Sequence, residues 1–250
     1  MTAFHLKLIA MITMTTDHIA IVFVENNMIM RSIGRIAFLL YAFMIAEGYY
    51  HIKDKPDRVK EHLIKLACLT VVSEFAYDYM ETGHFVDWST QSVMLVLLLG
   101  MIGLIITEKF KKQPWIIVIT YAAFAAINYF GKLNFKLVGV LLIFAFYQYV
   151  KHARELSFLK KLLILCSIIS VYYYLYTWAR VDFESWSAWV EKFVAFWPWL
   201  VGHYVAMVIL AAYNGKPGLR NKAFQVVYSV YYPVHMFALG LIRSCYFSAL

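Results

Sequence analysis

The stretch Leu6-Lys7-Leu8-Ile9-Ala10-Met11-Ile12-Thr13-Met14-Thr15-Thr16-Asp17-His18-Ile19-Ala20-Ile21-Val22-Phe23-Val24 decides the fold class. It is long enough to cross a bilayer as an α-helix, yet it carries Lys7 near one end and Asp17-His18 deep inside. Ionisable residues within an apolar span are costly in lipid and usually mark chemistry or transport. His18 follows Lys7 by 11 residues. That is about three full turns, so the two lie on nearly the same face, about 16 Å apart along the axis. Such a stripe can line one continuous path, with a cation at its mouth and an imidazole within. Asp17 points about 100° away from His18 around the helix, where it can support the ring indirectly or pair with another helix.

The rest of the chain has the same character. It is 62% hydrophobic, 18% aromatic and only 15% charged, whereas soluble domains carry about a quarter charged residues. Lipid is therefore its solvent. Apolar runs predict helices near 6–24, 32–51, 62–80, 91–107, 115–130, 136–150, 160–178, 195–212 and 223–247. The stretch Arg180 to Lys192 places Trp186 and Trp189 among Asp182, Glu184 and Glu191, which reads as an interfacial helix. The expected fold is all-α: one polytopic membrane domain over residues 1–250, with about nine transmembrane helices in one bundle. No cleavable leader is expected, because the first apolar run lacks a small-residue cleavage site and Asp17-His18 interrupts it. Cys68, Cys166 and Cys245 sit in apolar runs without metal spacing or pairing logic, so they read as inert thiols and no metal is expected.

Basic residues set the expected orientation. Lys53, Lys55, Arg58 and Lys60 fall in one loop, and Lys109, Lys111 and Lys112 in the next alternate one. Lys151, Arg154, Lys160 and Lys161 follow, then Lys216, Arg220 and Lys222; the intervening loop 81–90 has neither Lys nor Arg. The rich loops read as cytoplasmic, which puts the N-terminus inside. The net charge of +8 is then a topology signal. Nucleic-acid binding does not fit, because the basic residues are spread over short loops and form no separate patch.

With that orientation, His18 lies about 18 Å in from the cytoplasmic side. Glu74 in Val71-Val72-Ser73-Glu74-Phe75 reaches a similar depth, and Asp78 lies one turn nearer the exit. Arg35 is about one turn in from the outer side, where Gln91 and Ser92 open another helix. His235 in Tyr232-Pro233-Val234-His235 comes to a comparable outer depth. Acid, base and cation are thus expected in one layer, with Glu74 the carboxylate best placed to face the His18 ring. A structural reading of the same residues is an ion-pair network such as Arg35 with Glu74. At the inner side, Lys7, Lys65 and Lys216 can hold a polyanion. The plainer alternative is snorkelling to lipid phosphates, which suits Lys60 best.

A basic inner mouth, a polar stripe and an imidazole toward the outside suit a donor with a charged head and a long thin arm. Acyl-coenzyme A has that shape. His18 would take a proton from an amine or hydroxyl nucleophile while a carboxylate orients the ring.

Several blocks carry a family likeness. Leu6 to Met14 runs into Asp17-His18, followed by Ile33-Gly34-Arg35-Ile36-Ala37-Phe38 and Phe43-Met44-Ile45-Ala46-Glu47-Gly48-Tyr49. Then come Ser73-Glu74-Phe75-Ala76-Tyr77-Asp78, Tyr213-Asn214-Gly215-Lys216-Pro217-Gly218 and Tyr228-Ser229-Val230-Tyr231-Tyr232-Pro233-Val234-His235. In these blocks the chain resembles the TraX family of integral membrane acetyltransferases, in which a member acetylates the N-terminus of a pilin subunit. The Lys-to-His spacing also resembles the wider transmembrane acyltransferase superfamily, in which the His is catalytic and coenzyme A enters from the cytoplasm. The chain departs from the family pattern at Leu39, where Pro is usual, at Lys65, where Arg is, and at Ser92, where Asn is. The resemblance implies an acyl-CoA-dependent enzyme with acetyl-CoA as donor and a bacterial cytoplasmic membrane location. The acceptor would be an exported peptide, a pilin-like protein or a surface glycan. The expected catalytic set is His18, Asp17, Glu74 and Arg35; the expected donor-binding set is Lys7, Lys65, Lys216, Tyr232 and His235. Two other classes remain open here. A proton-coupled transporter would also bury Asp, Glu and His, although it would usually show paired halves. A non-catalytic membrane subunit of a conjugation or secretion assembly would need no such layer.

Overall fold

Thr2 and His5 close the start of the first helix as a capping box, with the Thr2 hydroxyl 2.7 Å from the His5 ring. From there Leu6, Ala10, Met14, His18 and Val22 recur every fourth residue and are buried, while Leu8 and Ile12 on the opposite side are exposed. That is one face of an apolar helix turned inward, with its other face, also apolar, left to an apolar solvent. The computed structural model describes residues 1–24, 27–130, 136–153, 155–180, 185–195, 197–219 and 221–248. Arg154, Asp182, Glu184 and Arg220, which entered the sequence reading, lie outside the described residues, as do the side chains of Arg180, Trp189 and Lys192.

Ten α-helices make up the described secondary structure: α1 (Ala3–Phe23), α2 (Met28–Ile52), α3 (Pro56–Thr82), α4 (Val93–Lys109), α5 (Pro114–Phe130), α6 (Lys136–His152), α7 (Phe158–Arg180), α8 (Trp186–Ala195), α9 (Trp197–Ala211) and α10 (Lys222–Ser248). The all-α expectation holds, and a short α8 occupies the stretch read as interfacial. The count of about nine full spans needs correction. Among the described residues, four helices are both long and apolar enough to cross: Ala3–Phe23, Met28–Ile52, Phe158–Thr177 and Lys222–Tyr246. Helix α4 has 17 residues, so it is about 26 Å long against a hydrocarbon core of about 30 Å, and the described parts of α5, α6 and α9 have 17, 17 and 15 residues. Helix α3 is long, with 27 residues, but carries Arg58, Lys60, Glu61 and Lys65 in its first three turns. It begins six residues before the expected start, because Pro56 takes the first helical position and Asp57 meets the helix dipole there.

The chain divides into two compact units, Met1–Leu40 with Ala153–Gln225, and Tyr41–His152 with Val226–Leu250. In the first, α7 packs along α9 and buries Tyr172, Tyr173, Tyr176 and His203. The start of α1 rests on the 213–218 block. The Ala3 and Phe4 N–H groups donate to the Lys216 and Pro217 carbonyls at 2.9 and 3.2 Å, and the Asn214 N–H donates to the Met1 carbonyl at 2.9 Å. Two helix-start donors that would otherwise lack partners are thereby satisfied.

In the second unit α4 packs against α3, α5 and α6. The Tyr147 hydroxyl donates to Glu108 at 2.5 Å, and Lys151 lies 3.4 Å from the same carboxylate. Arg243 of α10 donates to the Glu81 and Met80 carbonyls at 2.8 and 3.4 Å, placing a cation at the C-terminal end of α3, where the helix dipole favours it.

Candidate functional site

The first unit brings α1, α2 and α9 together in a polar layer. Gly34 of α2 sits against Asp17 so closely that a side chain there would overlap it. Absence of that side chain lets Asp17 reach across, and its Oδ1 accepts from Arg31 Nη1 at 2.8 Å. The charge of Arg35, one turn along the same face, also falls on Asp17. The Arg35 guanidinium lies over the Trp199 ring, 4.6 Å from its centre, a cation–π contact. On the α9 side, Gly202 is pressed onto the backbone of Ser32, and the Ser32 hydroxyl donates to the Pro198 carbonyl at 2.5 Å. One turn further, His203 is 4% exposed and its Nδ1 is 2.5 Å from the Trp199 carbonyl. A carbonyl only accepts, so Nδ1 carries a proton and, in the neutral ring, Nε2 holds the lone pair. Tyr172 and Tyr173 flank the ring at centroid distances of 5.8 and 6.1 Å.

His18 is buried on α1, 7% exposed, on the turn that carries Asp17. Lys7 is half-buried toward the start of the helix. Lys216, in the block that holds that start, is exposed. Lys7 lies one turn beyond Ala3, whose N–H bonds the Lys216 carbonyl, so the two lysines belong to the same end of the first unit. The structure thus gathers His18, Asp17 and Arg35 in one layer and Lys7 and Lys216 at one end. Asp17 takes the second of its two expected roles: it pairs with another helix, through Arg31.

The other expected residues lie in the second unit. Both oxygens of Glu74 accept the Ser92 N–H, at 3.0 and 3.1 Å, and the Tyr232 hydroxyl takes the Val93 N–H. Glu74 and Tyr232 therefore satisfy donors at the N-terminal end of α4, work that a local cap would otherwise do. Asp78 is 4% exposed and its Oδ2 accepts the Asp87 N–H at 2.9 Å. His235 has Nδ1 2.7 Å from the Tyr231 carbonyl and stacks on the Tyr231 ring at 4.9 Å, so Nδ1 carries a proton and, in the neutral ring, Nε2 holds the lone pair. Lys65 is exposed and 2.7 Å from Glu61 on its own helix. The hydrogen bond and charge of Lys65, with the charge of Arg58, hold the Glu61 carboxyl below its ordinary range. Lys65 thus already has an anion beside it.

Sequence reasoning missed Arg31, Trp199 and His203. Arg31 and Arg35 share a face at a spacing of one turn, and the sequence pattern does not choose between them. His203 had a usable signal: it is an ionisable residue inside the apolar run Trp199-Leu200-Val201-Gly202-His203-Tyr204-Val205. No group of three or more His, Cys, Asp or Glu side chains suited to a metal occurs among the described residues.

The TraX protein family model matches residues 3–243. The chain belongs to the TraX family. It is 25% identical over 253 aligned positions to the probable fimbrial assembly protein FimC, serogroup H1, of Dichelobacter nodosus, covering 94% of this chain and 93% of that one. No solved structure matches. The family match takes in all the blocks from Leu6 to His235 on which the resemblance rested. Residues of the polar layer that lie outside those blocks, Arg31, Trp199 and His203, fall within the matched range as well.

Proposed function

We propose that this TraX-family membrane protein is an acyltransferase that moves an acyl group, in the first instance acetyl, from cytoplasmic acyl-CoA to an amine or hydroxyl acceptor at the outer face. One observation carries the reading: a buried His18 on the turn whose Asp17 is fixed by Arg31, in a helix with Lys7 about three turns below on nearly the same side. In this reading Lys7 and Lys216 receive the phosphates of the donor, because both belong to the end of the first unit where α1 begins. Lys65 contributes less, since Glu61 already occupies it.

The reaction follows from those positions. The acceptor N–H or O–H gives its proton to the neutral His18 ring. The freed lone pair attacks the thioester carbonyl, a C–N or C–O bond forms, and the C–S bond breaks. The coenzyme A thiolate leaves and takes the proton from the His18 imidazolium, which restores the neutral ring. The Asp17–Arg31 pair fixes the helix turn that carries the ring, and Arg35 lends positive charge where an oxyanion develops. FimC is named for fimbrial assembly, which favours an exported pilus subunit as the acceptor. The test is mass spectrometry of exported peptides and surface polymers from cells with and without the chain. An acyl mass present only with the chain supports the reading. Identical masses, together with no coenzyme A release by the purified protein, would favour a transporter or a structural subunit.

A further inference from the structure

The segment between α3 and α4 does more than connect them. Gly83 ends α3 in the left-handed region, φ 82°, with its N–H on the Tyr79 carbonyl at 3.0 Å, and the chain turns back on itself. It then runs down alongside α3, tied to one carboxylate after another. Asp87 N–H donates to Asp78, the Thr90 hydroxyl to Glu81 at 2.9 Å, and Ser92 N–H to Glu74. Glu74 lies eight residues before Thr82, so α4 begins about 12 Å inside the end of α3. Residues 83–86, Trp88 and Ser89 are exposed, Thr90 and Gln91 are partly covered, and Ser92 is 0% exposed. Non-helical backbone at membrane depth persists only where protein groups satisfy it, and Glu74 and Asp78 accept backbone N–H groups here.

The outer edge of this segment is apolar. Phe85, Val86 and Trp88 are 55%, 57% and 79% exposed. Phe85 stacks on Tyr79 at 4.8 Å and lies 6.4 Å from Phe237, which is 5.4 Å from Tyr79. Phe237 belongs to the exposed apolar face of α10, with Val230, Val234 and Leu241, and Val71, Val72 and Phe75 expose a matching face on α3. The patch on the segment is therefore continuous, through Phe237, with the exposed apolar face of α10, a helix long and apolar enough to cross a membrane. Residues 82–92 contain no Lys or Arg. Exposed Trp and Phe beside a lipid-facing surface are the residues that settle at the boundary between headgroups and acyl chains.

We propose that Phe85, Val86 and Trp88 form an interfacial anchor that binds the bilayer surface, held at its depth by the ladder of Glu74, Asp78 and Glu81. The occupant of the patch is lipid. The anchor fixes the level of the α4 start and owes nothing to acyl transfer.

The test uses the full chain with Cys68, Cys166 and Cys245 replaced by Ser, reconstituted in phosphatidylcholine vesicles. Val86→Cys, Trp88→Cys and, as a water-exposed reference, Lys55→Cys are spin-labelled. Collision with molecular oxygen is compared with collision with a water-soluble nickel chelate. The anchor predicts that oxygen dominates at positions 86 and 88 and nickel at 55. Nickel dominating at both 86 and 88 overturns it, and so does protection from both reagents, which would put a second copy or another protein on the patch. A second measurement leaves the backbone and the cysteines untouched. Brominated phosphatidylcholine should quench the Trp emission of the native chain more than that of Trp88→Phe, and equal quenching counts against the anchor.

Discussion

Gly202→Ala probes the contact on which the polar layer depends. A methyl group at Gly202 would come closer than 3 Å to the Ser32 carbonyl oxygen. The obstacle is backbone, which cannot swing aside as a flexible side chain would. Helices α2 and α9 must therefore part, by about 1 Å or more, to restore ordinary packing distances. The Ser32–Pro198 hydrogen bond and the stacking of Arg35 on Trp199 lie within a turn of the contact and loosen with it. Overpacking costs about 1–3 kcal/mol and the lost hydrogen bond about 1 kcal/mol. Replacing a helical Gly by Ala returns about 1 kcal/mol, so the net loss is about 1–3 kcal/mol. Gly48→Ala is the control, because nothing lies within 4 Å of its added carbon. It keeps only the helix-propensity gain. Thermal unfolding in one detergent, followed by Trp emission, should put Gly202→Ala below the native chain and Gly48→Ala at or above it. Equal midpoints for the two variants would refute the close α2–α9 contact, and the layer drawn across it would go too.

Three further outcomes are expected. Asp17→Asn and Arg31→Gln should each destabilise the protein by about 1–3 kcal/mol, the worth of a charge-assisted hydrogen bond; a double-mutant cycle with no coupling would dissolve the pair. Glu74→Ala strips the acceptor from the Ser92 N–H and should cost about 1–3 kcal/mol, whereas Glu74→Gln keeps an acceptor oxygen and should recover much of it; matching losses in denaturation would contradict the capping role. Lys7→Ala and Lys216→Ala should each weaken coenzyme A binding by about 1–3 kcal/mol, while Lys60→Ala leaves it unchanged; isothermal titration of the purified variants decides, and equal affinities remove the phosphate mouth.

Much of the fold was legible because apolar runs such as residues 6–24 are long enough to span a bilayer as helices and leave lipid as their solvent. The span count was not. Composition marks α4 as apolar, but contacts from Glu74 and Tyr232 fix where it starts, and those contacts have no hydropathy signature. The polar layer was half legible. Asp17, His18 and Arg35 stand out as ionisable residues in apolar runs, yet the choice of Arg31 as the Asp17 partner depends on Gly34 letting α1 approach α2. Glu74 stood out for the same reason, but its bond to the Ser92 N–H was invisible, since a carboxylate that caps a distant helix looks in sequence like one that serves chemistry. The carboxylate-tied descent after Gly83 left only a loop without basic residues to read, because backbone donors carry no residue identity.

The central claim is that His18 acts as a general base, and His18→Gln tests it most directly. Gln keeps a polar group of similar reach and loses the basicity. The measurement is acyl transfer from labelled acetyl-CoA, read as coenzyme A release with the exported acceptor fraction, alongside donor binding on the same preparation. The account predicts that transfer falls by about 10²–10⁴, the usual worth of a positioned acid–base group. Donor binding should stay within about twofold, because Lys7 lies about three turns away. Near-normal transfer by His18→Gln, with donor binding intact, would contradict it.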